Sequence, residues 1–239
     1  MARSGFAGFP PEAMEFLRGL ARNNRREWFL PRKAVYETSV KQPMRELVTA
    51  LNQALAGFAP EYATDPEKAI FRIYRDVRFS KDKKPYKEHI AASFPLRGGM
   101  AHGHGGFYVA VSHKELAVGG GVYMPEPAAL LAIRNHIAER HAELRRILAN
   151  PKVRRLLGDL QGEQLARVPK GFCADHPAAD LLRFKSLFLY VTLEPQLATT
   201  PQFFNEVLTR FRSMKPFLDF LTAHSAKKRA KIDPRELFA

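Results

Sequence analysis

The hydrophobic period of this chain changes twice, and that alternation limits the fold more than any single motif does. From Phe9 to Gly57 the apolar residues recur at helical spacing. Between Ile70 and Val122 the period drops to two, which places alternate side chains on opposite faces of extended strands. From Pro125 onward helical spacing returns, broken by one more apolar run at Ser186 to Leu193. Strands in series between helical blocks predict an α+β fold: a mostly antiparallel sheet flanked by N-terminal, middle and C-terminal helices, in a single domain. That domain is expected over 1–224. A basic tail occupies 225–239 and contains Lys227-Lys228-Arg229-Ala230-Lys231.

Within this outline, Phe9, Ala13, Phe16, Leu17 and Leu20 form the apolar stripe of a first helix that Pro10-Pro11 opens. Asn24 stands three residues before Glu27, the spacing of a capping box, and Pro31 and Pro43 divide the next stretch into two helices. The second carries Met44, Leu47, Val48, Leu51 and Leu55 and is expected to end in a left-handed cap at Gly57. The candidate strands are Ile70 to Ser80, Ile90 to Phe94, Phe107 to Ser112, Leu116 to Val122 and Ser186 to Leu193. His113-Lys114-Glu115 makes the third and fourth a hairpin. Later helices are expected through Leu130 to Ile137, Leu144 to Leu157, and a short stretch at Leu181-Leu182 capped by Asp175. The last helix carries Phe203, Phe204, Phe211 and Phe217, with a bend at Pro216. Trp28-Phe29 and this phenylalanine stripe read as core.

Composition narrows the chemistry. The 239 residues hold 38 Lys+Arg against 24 Asp+Glu, a net charge of +14. A single cysteine, Cys173, excludes an internal disulfide and a cysteine-rich zinc site. No apolar run approaches the roughly 18 residues of a membrane span, and the opening residues lack a secretory apolar segment, so a cytoplasmic protein without a membrane partner is expected.

The basic excess concentrates in one place. Read as a strand, Phe71 to Ser80 turns Phe71, Ile73, Val77 and Phe79 one way and Arg72, Tyr74, Asp76, Arg78 and Ser80 the other, with Arg75 breaking the apolar face. Lys81-Asp82-Lys83-Lys84-Pro85-Tyr86-Lys87 comes directly after it. Over Arg72 to His89 seven basic residues oppose three acidic ones, a net +4. Arginine forks and lysine point charges suit phosphate or carboxylate, and tyrosine rings suit stacking on a base. The candidate ligand-binding set is therefore Arg72, Tyr74, Arg75, Asp76, Arg78, Ser80, Lys81, Asp82, Lys83, Tyr86 and Lys87.

The run from Arg72 through Arg78-Phe79-Ser80-Lys81-Asp82-Lys83-Lys84-Pro85-Tyr86 to Lys87, with Asn23-Asn24 and Glu27-Trp28-Phe29 upstream, resembles the conserved hypothetical family called domain of unknown function 2461. Gly106-Phe107-Tyr108, Gly119-Gly120-Gly121 and Pro169-Lys170-Gly171 through Asp175-His176-Pro177 to Lys185 share in it. The resemblance spans roughly Phe9 to Leu221 and implies an intact member, with no activity, cofactor or catalytic residue attached.

Other motifs carry competing readings. Gly119-Gly120-Gly121 fits a bulge or tight packing better than a phosphate cradle, since it lacks the P-loop lysine. The segment Gly98 to Gly106 with His102-Gly103-His104 reads as a flexible hairpin loop that would hold a metal only if a third ligand, such as His89 or an aspartate, converged, and no metal or cofactor is assigned. Asp76 with Asp82-Lys83-Lys84 has the residue types of a magnesium nuclease, but the arginines around it compete for both carboxylates. Cys173 stands three residues before His176 and reads as a structural or incidental thiol rather than as a nucleophile paired with that histidine. Two functions fit these residues. One is the binding of nucleic acid or a phosphorylated small molecule. The other is hydrolysis or group transfer on a phosphorylated or carboxylated small molecule, with Asp76 or His176 as base. A third possibility makes the signature an internal salt-bridge network that serves the scaffold.

Overall fold

The computed structural model describes residues 5–97 and 105–229, with side chains through Ala223. Helix α1 (Pro11–Arg22) starts at a proline, whose fixed φ suits a first helical turn, and it buries Ala13, Met14, Phe16, Leu17 and Leu20. From Arg26 to Leu55 the chain is helical throughout, but its pitch changes at each proline. A 3-10 turn at Leu30–Arg32 takes Pro31, and a π-helical stretch at Tyr36–Lys41 precedes Pro43 at the start of α2 (Gln42–Leu55). Pro43 offers no N–H to the Ser39 carbonyl and its ring crowds that oxygen, so a wider turn relieves the conflict without breaking the helix. The expected left-handed cap at Gly57 does not form: the C-cap is Ala56 in right-handed geometry, and Gly57 has no positive φ.

Four strands, β1 (His89–Pro95), β2 (Gly106–Ser112), β3 (Leu116–Val122) and β4 (Leu187–Leu193), form an antiparallel sheet in the order β1-β2-β3-β4. The hairpin between β2 and β3 is closed by Ser112, whose hydroxyl oxygen accepts from the Lys114 and Glu115 N–H groups. Helix α3 (Pro127–Ala149) leaves helical geometry at Arg140, and α4 (Pro151–Leu157) is capped by Asn150, which accepts from Lys152 and Val153. Helix α5 (Gln202–Arg229) runs through Pro216. None of these helices, within the described residues, is long and apolar enough to cross a membrane.

One expected strand is absent. Ile70 to Ser80 contributes only the isolated bridges Ile70–Ala92 and Tyr74–Tyr86. The cause is local: Asp76 and Asp82 each accept a backbone N–H two residues on, from Arg78 and Lys84, and these side-chain turns compete with a ladder.

The chain forms two compact units. The first comprises Met1–Phe94, Phe107–Val118 and Val191–Arg212. Its core holds one ring cluster of Phe16, Phe29, Tyr36 and Tyr86, and another in which Phe211 stacks on Phe107 at 4.4 Å and meets Phe94 edge-on. Trp28 is only half-buried, with Arg32 lying 4.7 Å from its ring centre. The second unit comprises Pro95–Gly106, Gly119–Tyr190 and Ser213–Ala239. There, Arg134 of α3 donates to the Leu182 and Phe184 carbonyls, and Arg145 forks onto Asp180 and reaches the Pro177 carbonyl.

In that unit β3 lies against β4 so closely that glycine is required. A Cβ on Gly121 would stand 2.2 Å from the Leu187 carbonyl oxygen, and its φ of +148° is itself a glycine conformation. Gly119 leaves more room, with 3.0 Å to the Leu189 carbonyl oxygen. Gly121→Ala is therefore expected to cost about 2 kcal/mol or more, a fall of about 4 °C or more in Tm, and Gly119→Ala distinctly less, as read by thermal denaturation. Equal shifts for the two variants would contradict this packing.

Candidate functional site

The basic segment belongs to the first unit and forms a ribbon leading into β1. Its arms run antiparallel: the Phe71 N–H donates to the Ala91 carbonyl at 2.9 Å, Lys87 to Ile73 at 2.8 Å and Arg75 to Pro85 at 2.9 Å. Residues 76–84 make its tip. One aromatic residue anchors the base. Tyr86 is buried, with its ring stacked on Phe29 at 4.2 Å and the Tyr74 ring 5.5 Å away. Its backbone is held by Asn24, whose side-chain amide donates to the Tyr86 carbonyl at 3.0 Å and accepts from the Tyr86 N–H at 3.1 Å. A primary amide satisfies both groups of one residue as a neighbouring strand would. Asn24 therefore does not cap the next helical turn, Arg26–Phe29, which starts from Arg25 without a side-chain cap. Burial pushes the Tyr86 hydroxyl above the ordinary tyrosine range, and a hydrogen bond with Arg26 opposes that shift.

The charges on the ribbon sort into pairs and a remainder. Arg78 forks onto Asp76, with Nε–Oδ1 at 3.0 Å and Nη2–Oδ2 at 2.7 Å. Arg75 donates to Asp82 at 2.7 Å, and Lys84 donates to Glu88 at 2.9 Å. Every carboxylate between Arg72 and His89 thus has a cationic partner from the same stretch. The remainder is Arg72, Lys81, Lys83 and Lys87. Arg72 and Lys81 make no hydrogen bond or ion pair among the described residues, Lys83 donates to the Val77 carbonyl at 3.1 Å, and Lys87 lies 5.1 Å over the Phe71 ring. Ser80 closes the tip through its N–H, which donates to the Val77 carbonyl. Tyr74 remains half-exposed at the ribbon's side.

These contacts set protonation. The hydrogen bonds from Arg78, side chain first and then backbone, hold the Asp76 carboxyl down to about 2. The Lys87 ammonium is pushed below its ordinary value, first by partial burial and then by the charge of Arg72. Burial likewise lowers His89 at the start of β1, and the Lys87 charge adds to it.

Three cations outside the ribbon, Arg18, Arg22 and Lys114, act on His113 in the turn between β2 and β3. After burial, the charges of Lys114, Arg18 and Arg22 push the His113 imidazole down, and Lys114 also acts on Glu88 at the ribbon's base. The spacing of Arg18 and Arg22, one helical turn apart, was the available signal. Nothing in the sequence places Lys114 beside them.

The remaining candidates fall elsewhere. His176 lies in the second unit, where its Nδ1 accepts the Ala178 N–H at 3.0 Å and its ring stands 5.8 Å from that of His141. That nitrogen is committed, so it does not serve Cys173, which is exposed. Asp175 does not cap the short turn Ala179–Leu182, whose N-cap is Ala178. His102 and His104 lie outside the described residues, and among the described residues no three metal-ligating side chains converge. Asp76 and Asp82 each face a guanidinium instead.

Because the folded-state pKa of Asp76 is depressed, any stabilisation from its pair with Arg78 is complete above the ordinary carboxylate value near 3.8 and is lost as pH falls through about 2. Carboxyl NMR titration is expected to find Asp76 ionised at pH 3, and Arg78→Ala to return its midpoint toward 3.8. An ordinary midpoint in the intact protein would show that the fork does not persist.

Comparison with curated proteins gives no match, and comparison with solved structures gives none. A family model described as "Conserved hypothetical protein (DUF2461)" matches residues 12–220, which contain the ribbon, the sheet and nearly all of the chain between its ends. On that match the chain belongs to the DUF2461 family.

Proposed function

We propose that the ribbon from Arg72 to Lys87 binds the phosphate backbone of nucleic acid. The observation that carries this reading is the sorting of charge: three carboxylates are neutralised inside the ribbon, and four cations, Arg72, Lys81, Lys83 and Lys87, are left with no carboxylate partner. An anion approaching the ribbon meets positive charge that no carboxylate pairs with, on the arms at Arg72 and Lys87 and at the tip at Lys81 and Lys83. The cations at Arg18, Arg22 and Lys114 extend the same sign beyond the ribbon, which suits a polymer better than a single phosphate.

Catalysis by the same residues has less support. A carboxylate held near 2 is a weak base at neutral pH, and Asp76 already gives both oxygens to Arg78. Phosphate contacts of the proposed kind release condensed counterions, so the affinity is governed by salt.

Fluorescence anisotropy with labelled RNA, single-stranded DNA and duplex DNA over a NaCl series tests the proposal. The intact protein is expected to bind, with log K falling linearly against log salt. Arg72→Ala and Lys81→Ala are each expected to reduce that slope by about one unit. Absent or salt-independent binding contradicts the proposal. Competition by inorganic phosphate as effective as by polymer would identify a small-anion site instead.

A further inference from the structure

The tip of the ribbon carries a side chain that phosphate binding does not use. Phe79 is 95% exposed, more than any other large apolar side chain described. Burying such a ring removes a large apolar area from water, so folding alone gives no reason for it to project. Its neighbours are Arg78, which lies 5.8 Å from the ring centre, and then Ser80 and Lys81. Phe71, nearer the base, is 43% exposed and has Lys87 over its face. Exposed rings and cations thus alternate along one ribbon. The fork to Asp76 holds the Arg78 guanidinium in place beside the Phe79 ring.

Resting on the nucleic-acid reading above, we infer that the ligand is single-stranded, with an unpaired base stacking on Phe79 while adjacent phosphates lie on Lys81, Lys83 and Arg72. In a duplex the base faces are already stacked inside, so a protruding ring reaches them only at the cost of unstacking a base step. A single strand presents a π-face and a phosphate at every nucleotide, and base–aromatic stacking tolerates any base. Insertion into an anionic membrane would draw on the same charge, but Phe79 stands without a second exposed apolar residue beside it at the tip, where Val77 is half-buried.

The test compares wild type, Phe79→Ala, Phe79→Leu and Phe79→Trp for binding to oligothymidylate and to a duplex of the same length. These substitutions sit in solvent and leave the core untouched. Phe79→Ala and Phe79→Leu are expected to bind oligothymidylate about tenfold more weakly and the duplex unchanged. Phe79→Trp is expected to keep its affinity and to show fluorescence quenched by the oligonucleotide, beyond the Trp28 signal of wild type. Undiminished binding by Phe79→Ala, or equal losses on single strand and duplex, overturns the stacking role while leaving the phosphate reading intact. Failure of wild type to bind any nucleic acid overturns both. Co-sedimentation with phosphatidylserine-containing vesicles, with no quenching by the oligonucleotide, assigns the tip to a membrane and also overturns the inference.

Discussion

The ribbon depends on one attachment: Asn24 grips both backbone groups of Tyr86 while the Tyr86 ring stacks on Phe29. The two bridges at Ile70 and Tyr74 are too few to hold a polar segment in place without it. Each hydrogen bond contributes only about 0.5–1.5 kcal/mol net, but leaving the backbone of the buried Tyr86 unpaired would cost more than their mean suggests. Tertiary burial at the base thus fixes a loop whose tip makes no core contact. Position comes from the apolar anchor, and charge from the exposed tip.

The charge pairs on the tip do different work. Exposed pairs contribute little to stability and weaken with salt. Their effect is on shape and sign. The fork of Arg78 on Asp76 and the single bond from Arg75 to Asp82 orient the turn, and they occupy negative charge that would otherwise offset Arg72, Lys81, Lys83 and Lys87. The scaffold and binding readings of this signature are therefore compatible: the internal pairs build the surface that the unpaired cations then electrify. Lys87 shows the tension in this arrangement, since partial burial and then the charge of its neighbour Arg72 both disfavour its ammonium form.

Much of the fold was legible because period alone separates helix from strand. The four strands, the hairpin at His113 to Glu115 and the long helices all rest on it. Ile70 to Ser80 misled for a physical reason: its alternation of Phe71, Ile73, Val77 and Phe79 suggests one buried face, but only Ile73 is buried and Phe79 is nearly bare. Alternation records what a sheet would bury, whereas short-range bonds from Asp76 and Asp82 decide that no sheet forms. Pro31 and Pro43 misled similarly, because a change of helical pitch absorbed them. The candidate residues of the ribbon were legible as a cluster. Which were paired and which were left over was not, nor was the joining of Arg18, Arg22 and Lys114, since both depend on chain paths that spacing does not encode. Asn24 was noticed for a role it does not have, because a capping signature and a backbone clamp use the same side chain.

The most direct measurement is a titration of isotopically labelled protein with oligothymidylate at low salt, monitored by amide NMR shifts. The assignment of the ribbon as the contact surface predicts that shifts concentrate at Arg72 and at Arg78 to Lys83, with smaller ones at Lys87, while the Asn24 side-chain amide and the Tyr86 N–H stay in place. Shifts confined to the second unit, for instance to the loop between Pro169 and Lys185, would contradict it.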